Sequence, residues 1–353
     1  MDSRLGILSV LAIFALAVLV PTVDADAEDS NLFSYKSQRD ENSTLVYNDV
    51  GKAVTFDGES KTFTVAFSDS TLYSSADKAR TYADAAVQNA LAASYLSNPM
   101  ILYLWDYPVK AVEVTTDLQE LTVNDGSGLT YYKILSVTFT LTLPEGITEA
   151  SIIELNDAIK TLNFNGKTNA NTVSSMISYL KGISYQADED DRISNIYDAV
   201  VKKKSSSAGV AQALTWFCMN SNIPSIIVAG DNITCDTELK SFWNYVYLEG
   251  DHDGLTYYAW YIVDAAHNPS AGIAGYQTTI EYGDKTYSLS AALTTDLNLS
   301  SPNDLRVPQV NDNKYVQVGG PTFLERYGEN ILLLVLGAIL VVGMLYAVRS
   351  GNF

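Results

Sequence analysis

The chain has 353 residues, enough for one large domain or two modest ones with a sizeable hydrophobic core. Its formal net charge is -19 at pH 7, which argues against nucleic acid as a partner because the phosphate backbone is itself anionic. Only two histidines and two cysteines occur, and this scarcity limits the available acid–base and nucleophilic chemistry.

Residues 1–27 have the layout of a secretory signal peptide. Arg4 precedes an apolar run over residues 5–20, and the small-residue pattern A-D-A follows at residues 25–27. We therefore expect cleavage of this segment and a mature chain that begins at Glu28, outside the cell. An uncleaved N-terminal anchor is the alternative.

Residues 28–148 are predicted to form strands, a helix and a hairpin. Alternation of apolar with polar side chains indicates strands, as in the run Val137, Phe139 and Leu141. Asp57-Gly58 and the glycine-rich residues 124–128 supply turn chemistry. In chain order, the predicted elements are strands at 53–56 and 61–67, a helix at 75–96, and hairpin strands at 109–123 and 130–143.

Residues 149–300 are predicted to be one α+β domain. Asn222-Ile223-Pro224 indicates a tight turn between a helix and a strand. The acidic run 188–191 indicates a solvated loop or helix start rather than a calcium site, and we predict no metal site or cofactor. The predicted elements are helices at 149–162, 171–180 and from Ser205 to the turn, and strands at 225–229, 242–248 and 256–263.

The C-terminal part predicts a single membrane anchor. Residues 301–330 are rich in Pro, Asn and Asp and read as a stalk. Residues 331–348 are apolar and uncharged, and Arg349 follows them. Because basic residues favour the cytoplasmic side, the tail 349–353 is expected inside and the rest of the mature chain outside.

An external location permits two kinds of covalent modification. Cys218 and Cys235 are candidates for a disulfide, with a buried core thiol as the alternative for Cys218. Asn42, Asn232 and Asn298 each begin an N-x-S/T triplet and are candidates for N-glycosylation.

Several segments share their order and spacing with one enzyme family. Residues 208–213 and 222–230 fit the register of a nucleophile helix and the strand after it. Residues 242–246, FWNYV, match the tail of the motif H-A-W-N-x-V, and residues 263–264 match the head of V-D-x-T. Over about residues 85–290 the chain thereby resembles the transglutaminase-like family of papain-related cysteine enzymes. The resemblance implies a nucleophile helix packed on an antiparallel sheet.

The resemblance also implies that the catalytic residues have been replaced. It assigns the family's cysteine to Ser207 and its histidine to Ser241, and only the acid, Asp264, remains. A serine hydroxyl needs an adjacent base to become a nucleophile, and Ser241 cannot act as one. Removing a single triad member costs about a millionfold in a serine protease. We therefore expect no catalysis.

Three residues follow from the resemblance as candidates to line a retained cleft: Trp243, Asn244 and Trp260. Core packing is the alternative for the two tryptophans. These observations favour an extracellular, membrane-anchored module that binds a peptide, protein or glycan, or that serves a structural role. The rival interpretation is a diverged enzyme that acts on peptide amides through Ser207. An open, aromatic cleft would favour binding, and a filled one would favour the structural role.

Overall fold

The computed structural model describes the central part of the chain, and the predicted signal peptide (1–27), nearly all of the predicted stalk (301–330) and residues 331–348 lie outside the described residues. The described residues up to 248 and from 258 onwards belong to one compact unit, and those within 249–257 belong to another. Within the described ranges, no helix has the length and apolarity needed to cross a membrane. The described residues are 33–68, 70–107, 112–122, 129–186, 193–230, 241–252, 255–266, 272–273, 279–282, 285–288 and 308.

The described residues form a mixed α+β fold in which helices lie between blocks of strands. The helices are α1 (Glu41–Val50), α2 (Ala76–Ser97), α3 (Glu149–Lys160), α4 (Asn169–Leu180) and α5 (Ser207–Asn220). The strands are β1 (Ser60–Ala66), β2 (Val114–Thr122), β3 (Thr130–Thr142), β4 (Ser184–Tyr185), β5 (Lys204–Ser205), β6 (Ser225–Gly230), β7 (Ser241–His252), β8 (Leu255–Val263), β9 (Thr279–Tyr282) and β10 (Lys285–Ser288).

The first sheet has the order β1-β3-β2, and both pairings are antiparallel. Phe63 lies opposite Phe139 in the register, and their rings stack at 5.2 Å between centroids. These side chains belong to the buried face, because successive strand residues point to opposite sides of a sheet. The hairpin β2–β3 and strand β1 confirm the strands predicted from alternation.

Helix α1 corrects the sequence prediction for residues 31–75, which foresaw short strands only. Asp40 caps the helix by accepting a hydrogen bond from the Ser43 N–H at 2.7 Å. Val46 and Val50, four residues apart, are both fully buried on one side of the helix. Residues 53–56 form no strand, since four alternating residues are too short a pattern to identify one.

Helix α2 is the long central helix, and its start at the Ser75 N-cap was predicted. It packs against β2 and β3 of the first sheet and against β6 of the second. Most of its second half is buried, including Leu91 and Leu96. The helix therefore connects the cores of the two sheets.

The second sheet has the order β6-β7-β8, with β6 antiparallel to β7. Helix α5 leads into it through Asn222, whose φ of 54° gives the predicted turn a left-handed residue that asparagine tolerates well. Every residue of α5 from Ser207 to Cys218 is buried. The helix thus lies inside the fold rather than on its surface.

Candidate functional site

Ser207 is the first residue of α5, and Ser206 is the N-cap. The Ser207 Oγ accepts a hydrogen bond from the backbone N–H of Phe242 at 3.0 Å. Phe242 directly follows Ser241, the position that the resemblance assigns to the family's histidine. The structure therefore places position 207 beside the start of β7, although 35 residues separate the two hydrogen-bonded residues.

The start of α5 is closed to solvent. Ser205, Ser206 and Ser207 are 0%, 1% and 3% exposed. The Ser205 hydroxyl donates to the Ser206 carbonyl at 3.0 Å, and the Ser206 Oγ accepts from the Ala208 N–H at 3.3 Å. The Ser206 Oγ thereby satisfies one N–H of the first helical turn, whereas the Ser205 and Ser207 hydroxyls bond to backbone groups that are not free N–H groups of that turn.

Asp264 is the residue that follows β8, and it is 6% exposed. The next residue, Ala265, lines a small pocket together with Ser205 and Val210 from the start of α5. The end of β8 and the start of α5 therefore border the same pocket. Asp264 and Ser207 each lie within two residues of a residue that lines it.

Asn244 binds the sheet to α5 from the middle of β7. Its Nδ2 donates to the Ala211 carbonyl at 3.0 Å and to the Thr215 Oγ1 at 2.8 Å. The side chain belongs to a residue that is 1% exposed. These bonds connect β7 to α5, and the cleft-lining role expected of Asn244 stays a prediction.

The two candidate tryptophans are also interior residues. Trp243 is 5% exposed and Trp260 is 6% exposed. The Trp260 ring makes an edge-to-face contact with Phe33 at 6.2 Å and lies 5.3 Å from the Tyr247 ring. The burial of both tryptophans agrees with the core-packing alternative, and a cleft lined by them stays a prediction.

Cys218 is a free, fully buried thiol in the contact between α4 and α5. Its Sγ lies 3.9 Å from the Met176 Sδ, and burial raises the pKa of the thiol to about 12. A thiolate is therefore scarce at neutral pH. The structure gives Cys218 the core role rather than the disulfide considered with Cys235, which lies outside the described residues.

Asn42 lies in α1 and is 2% exposed. Its Nδ2 donates to the Tyr82 Oη at 3.2 Å, so a glycan on this nitrogen would have to replace that bond and enter the core. The folded chain does not offer Asn42 as an accessible acceptor. Asn232 and Asn298 lie outside the described residues.

The sequence did not predict that Asn195 and Ser205 lie close against the backbone of Gly209. A Cβ atom at this position would overlap the Asn195 carbonyl and the Ser205 hydroxyl. The Gln212 side chain, one turn further along α5, accepts from the Ile196 N–H at 3.1 Å. A glycine inside a helix costs about 1 kcal/mol relative to alanine, and that cost was the available signal for a tight backbone contact.

Within the described ranges, no group of three or more His, Cys, Asp or Glu side chains is arranged to hold a metal ion. His267, the imidazole closest in sequence to Asp264, lies outside those ranges.

No family model and no curated protein matches the chain. Solved structures give weak matches. A protein from Cytophaga hutchinsonii, provisionally named a cysteine protease, is 13% identical, with 46% of this chain and 67% of that chain covered and a TM-score of 0.24. The periplasmic domain of TgpA from Pseudomonas aeruginosa is 13% identical, with coverages of 45% and 64% and a TM-score of 0.22.

A third solved protein, described as a TGase, is 12% identical, with 62% of this chain and 56% of that chain covered and a TM-score of 0.25. These neighbours carry names of the enzyme class that the sequence motifs resemble. Their identities and TM-scores are too low to carry an argument about fold or activity. The assignment of Ser207 to the nucleophile position therefore rests on the hydrogen bonds that Ser207 and Asn244 form between α5 and β7.

Proposed function

We propose that this chain is a catalytically inactive transglutaminase-like module, placed outside the cell and anchored by residues 331–348. The observation that carries the proposal is the bond between the Ser207 Oγ and the Phe242 N–H at a buried helix start. At the position where the family has its nucleophile, this chain has a hydroxyl that supports the contact between α5 and β7.

The chemistry of the three positions supports the loss of activity. A serine hydroxyl at neutral pH forms almost no alkoxide unless a base removes its proton. Position 241 holds a second serine, which cannot take that role, and an acid such as Asp264 serves a triad by orienting an imidazole. A structural role is favoured over ligand binding at the former cleft, because Trp243 and Trp260 are packed in the interior.

The test is an activity and labelling experiment on the mature chain. We expect no incorporation of amines into glutamine peptides and no hydrolysis of peptide amides. In the variant Ser207→Cys, a thiol reagent should react at least about tenfold more slowly than with the control Ser174→Cys, which lies on the exposed side of α4. Turnover by the unmodified protein that Ser207→Ala abolishes would establish the enzyme interpretation instead.

A second variant tests whether positions 207 and 241 correspond to the family's cysteine and histidine. This test does not depend on whether the unmodified chain is inactive. In Ser207→Cys/Ser241→His, an imidazolium beside the thiol should lower its pKa and make it react faster than in Ser207→Cys alone. The rate should then fall at low pH as the thiolate protonates. Equal rates in the single and double variants would show that positions 207 and 241 do not form the family's pair.

The anchored, external location is tested by protease protection. Protease added to intact cells should remove the region between residues 28 and 320 and spare a tag after Phe353, because the tail is expected inside. A chain that resists digestion in intact cells but is digested after lysis would place the module inside and contradict this part of the proposal.

A further inference from the structure

The connection between α3 and α4, residues 161–168, contains a dipeptide that can react by itself. Asn165 is directly followed by Gly166, and both residues are exposed. No other Asn-Gly pair occurs in the sequence. Because glycine carries no Cβ, its backbone nitrogen can approach the side chain of the preceding residue with little steric hindrance. This pair is therefore the position where an asparagine side chain of this chain reacts most easily with the backbone.

Gly166 lies directly against the first turn of α4. Its backbone N–H donates to the Thr172 Oγ1 at 3.0 Å. A Cβ atom at position 166 would overlap the Thr172 backbone nitrogen and the Asn171 side chain. Thr172 is 8% exposed, and its hydroxyl donates in turn to the Thr168 carbonyl at 3.1 Å. The fold therefore requires glycine at position 166 and holds its N–H on a buried hydroxyl.

The residue before the Asn-Gly pair attaches the connection to α4 and α5. The Phe164 ring centroid lies 4.8 Å from that of Phe217 on α5. The same ring makes an edge-to-face contact with Tyr179 on α4, with 5.7 Å between the centroids. Phe217 is 2% exposed, so Phe164 packs against a core residue. A change of backbone length directly after Phe164 would therefore act on the packing between α4 and α5.

We propose that Asn165 is a site of spontaneous deamidation and that the Thr172 hydroxyl sets the rate of this reaction. The Gly166 nitrogen loses its proton to water or hydroxide and bonds to the Asn165 Cγ. The bond from Cγ to the side-chain nitrogen breaks, and ammonia leaves. One water molecule then opens the cyclic imide and restores the Gly166 N–H. Opening at Cγ gives aspartate, and opening at the main-chain carbonyl gives isoaspartate.

The hydrogen bond from Gly166 to Thr172 opposes both steps that the attack requires. The Gly166 nitrogen must lose its proton, and that proton lies between the nitrogen and the Thr172 oxygen rather than in solvent. The nitrogen must also turn toward the Asn165 side chain, which breaks its bond to a buried acceptor. Since one such bond changes an equilibrium by a factor of about five, removal of the acceptor should speed the reaction by about that factor.

The site is tested by peptide mapping of the purified mature chain after incubation at neutral and mildly alkaline pH. Trypsin cuts after Lys160 and Lys167 and releases residues 161–167, whose amide, aspartate and isoaspartate forms are separated by chromatography and mass spectrometry. We expect acid products at Asn165 before Asn163, because the bulky Phe164 follows Asn163. The rate should rise with the hydroxide concentration. Products that appear first at Asn163, or none at Asn165 even in urea, overturn the proposal.

Matched threonine variants test the role of the hydroxyl. Thr172→Val keeps the β-branched shape and removes the acceptor, so it should raise the rate by about fivefold. The control Thr161→Val removes a hydroxyl of the same connection, which donates to the Ala158 carbonyl at 2.7 Å, and should leave the rate unchanged. Equal rates in Thr172→Val and the unmodified chain overturn the role of Thr172. If Thr172→Val does not fold, equal rates of the unmodified chain in buffer and in urea overturn it.

The two products should differ in their effect on the fold. Isoaspartate adds one carbon to the backbone between Phe164 and Gly166, whereas aspartate keeps the backbone length. The isoaspartate form should therefore unfold at a lower temperature than the unmodified chain, and Asn165→Asp should not. Equal unfolding temperatures of the two forms overturn this consequence. The inference goes beyond the proposed function, because deamidation of Asn165 involves none of the positions 207, 241 and 264 and its failure leaves the loss of catalysis standing.

Discussion

The two main sheets of this chain use polar side chains in opposite ways. In β1-β3-β2 the hydroxyl groups face solvent and pair across the strands, with Thr62 and Thr140 at 2.9 Å and Thr64 and Thr138 at 3.0 Å. In β6-β7-β8 the polar side chain of Asn244 points into the core and bonds to α5. Similar hydrogen bonds therefore lie in water in one sheet and away from water in the other.

The difference shows what a hydrogen bond contributes in each place. Water can replace either partner of an exposed Thr pair, so the bond adds little to the free energy of unfolding. A buried donor or acceptor that loses its partner costs about 1–3 kcal/mol. The exposed hydroxyls keep one face of the first sheet soluble, whereas the buried amide fixes where α5 lies on the second sheet.

The largest effect on stability is expected at Gly209 in α5, the helix that packs on the second sheet. Gly209→Ala places a Cβ against the Asn195 backbone and should lower the free energy of unfolding by about 3 kcal/mol. The control Gly182→Ala meets only the Tyr179 carbonyl at 3.3 Å and should change stability by less than about 1 kcal/mol. Denaturant unfolding of both variants measures the contrast, and equal losses would show that α5 moves away at little cost.

An intermediate effect is expected at Asn244. Asn244→Ala leaves the Ala211 carbonyl and the Thr215 hydroxyl without their shared donor and should cost about 2–3 kcal/mol. Thr215→Val keeps the bond to Ala211 and should cost less, about 1 kcal/mol. A loss below about 0.5 kcal/mol in Asn244→Ala would mean that the amide does not hold α5 in place.

The smallest effect on stability is expected on the exposed face of the first sheet. A double-mutant cycle with Thr62→Val and Thr140→Val should give a coupling free energy below about 0.5 kcal/mol, because the pair is exposed and valine keeps the β-branched shape. The same cycle at Asn244 and Thr215 should give a larger value. Coupling of equal size in the two cycles would remove the distinction between the regions.

Elements with local signals could be predicted from the sequence. Helix α2 begins at a serine whose side chain accepts from Lys78 N–H at 3.3 Å, and β3 alternates buried and exposed residues. Caps and alternation act over a few residues, so they are visible in a short window. Helix α1 was missed because its mixed composition has no long apolar period, although Asp40 is an N-cap residue.

By itself, the sequence indicated the long helices and strands between α2 and β8, and its resemblance to a known family predicts that Ser207 and Ser241 stand at two catalytic positions. Only the tertiary structure decided the surroundings of those elements. Trp260 is buried because Phe33, from the other end of the described chain, packs against it. Local patterns report which backbone form a segment prefers, whereas exposure depends on distant segments that pack against it, and no short stretch of residues encodes that contact.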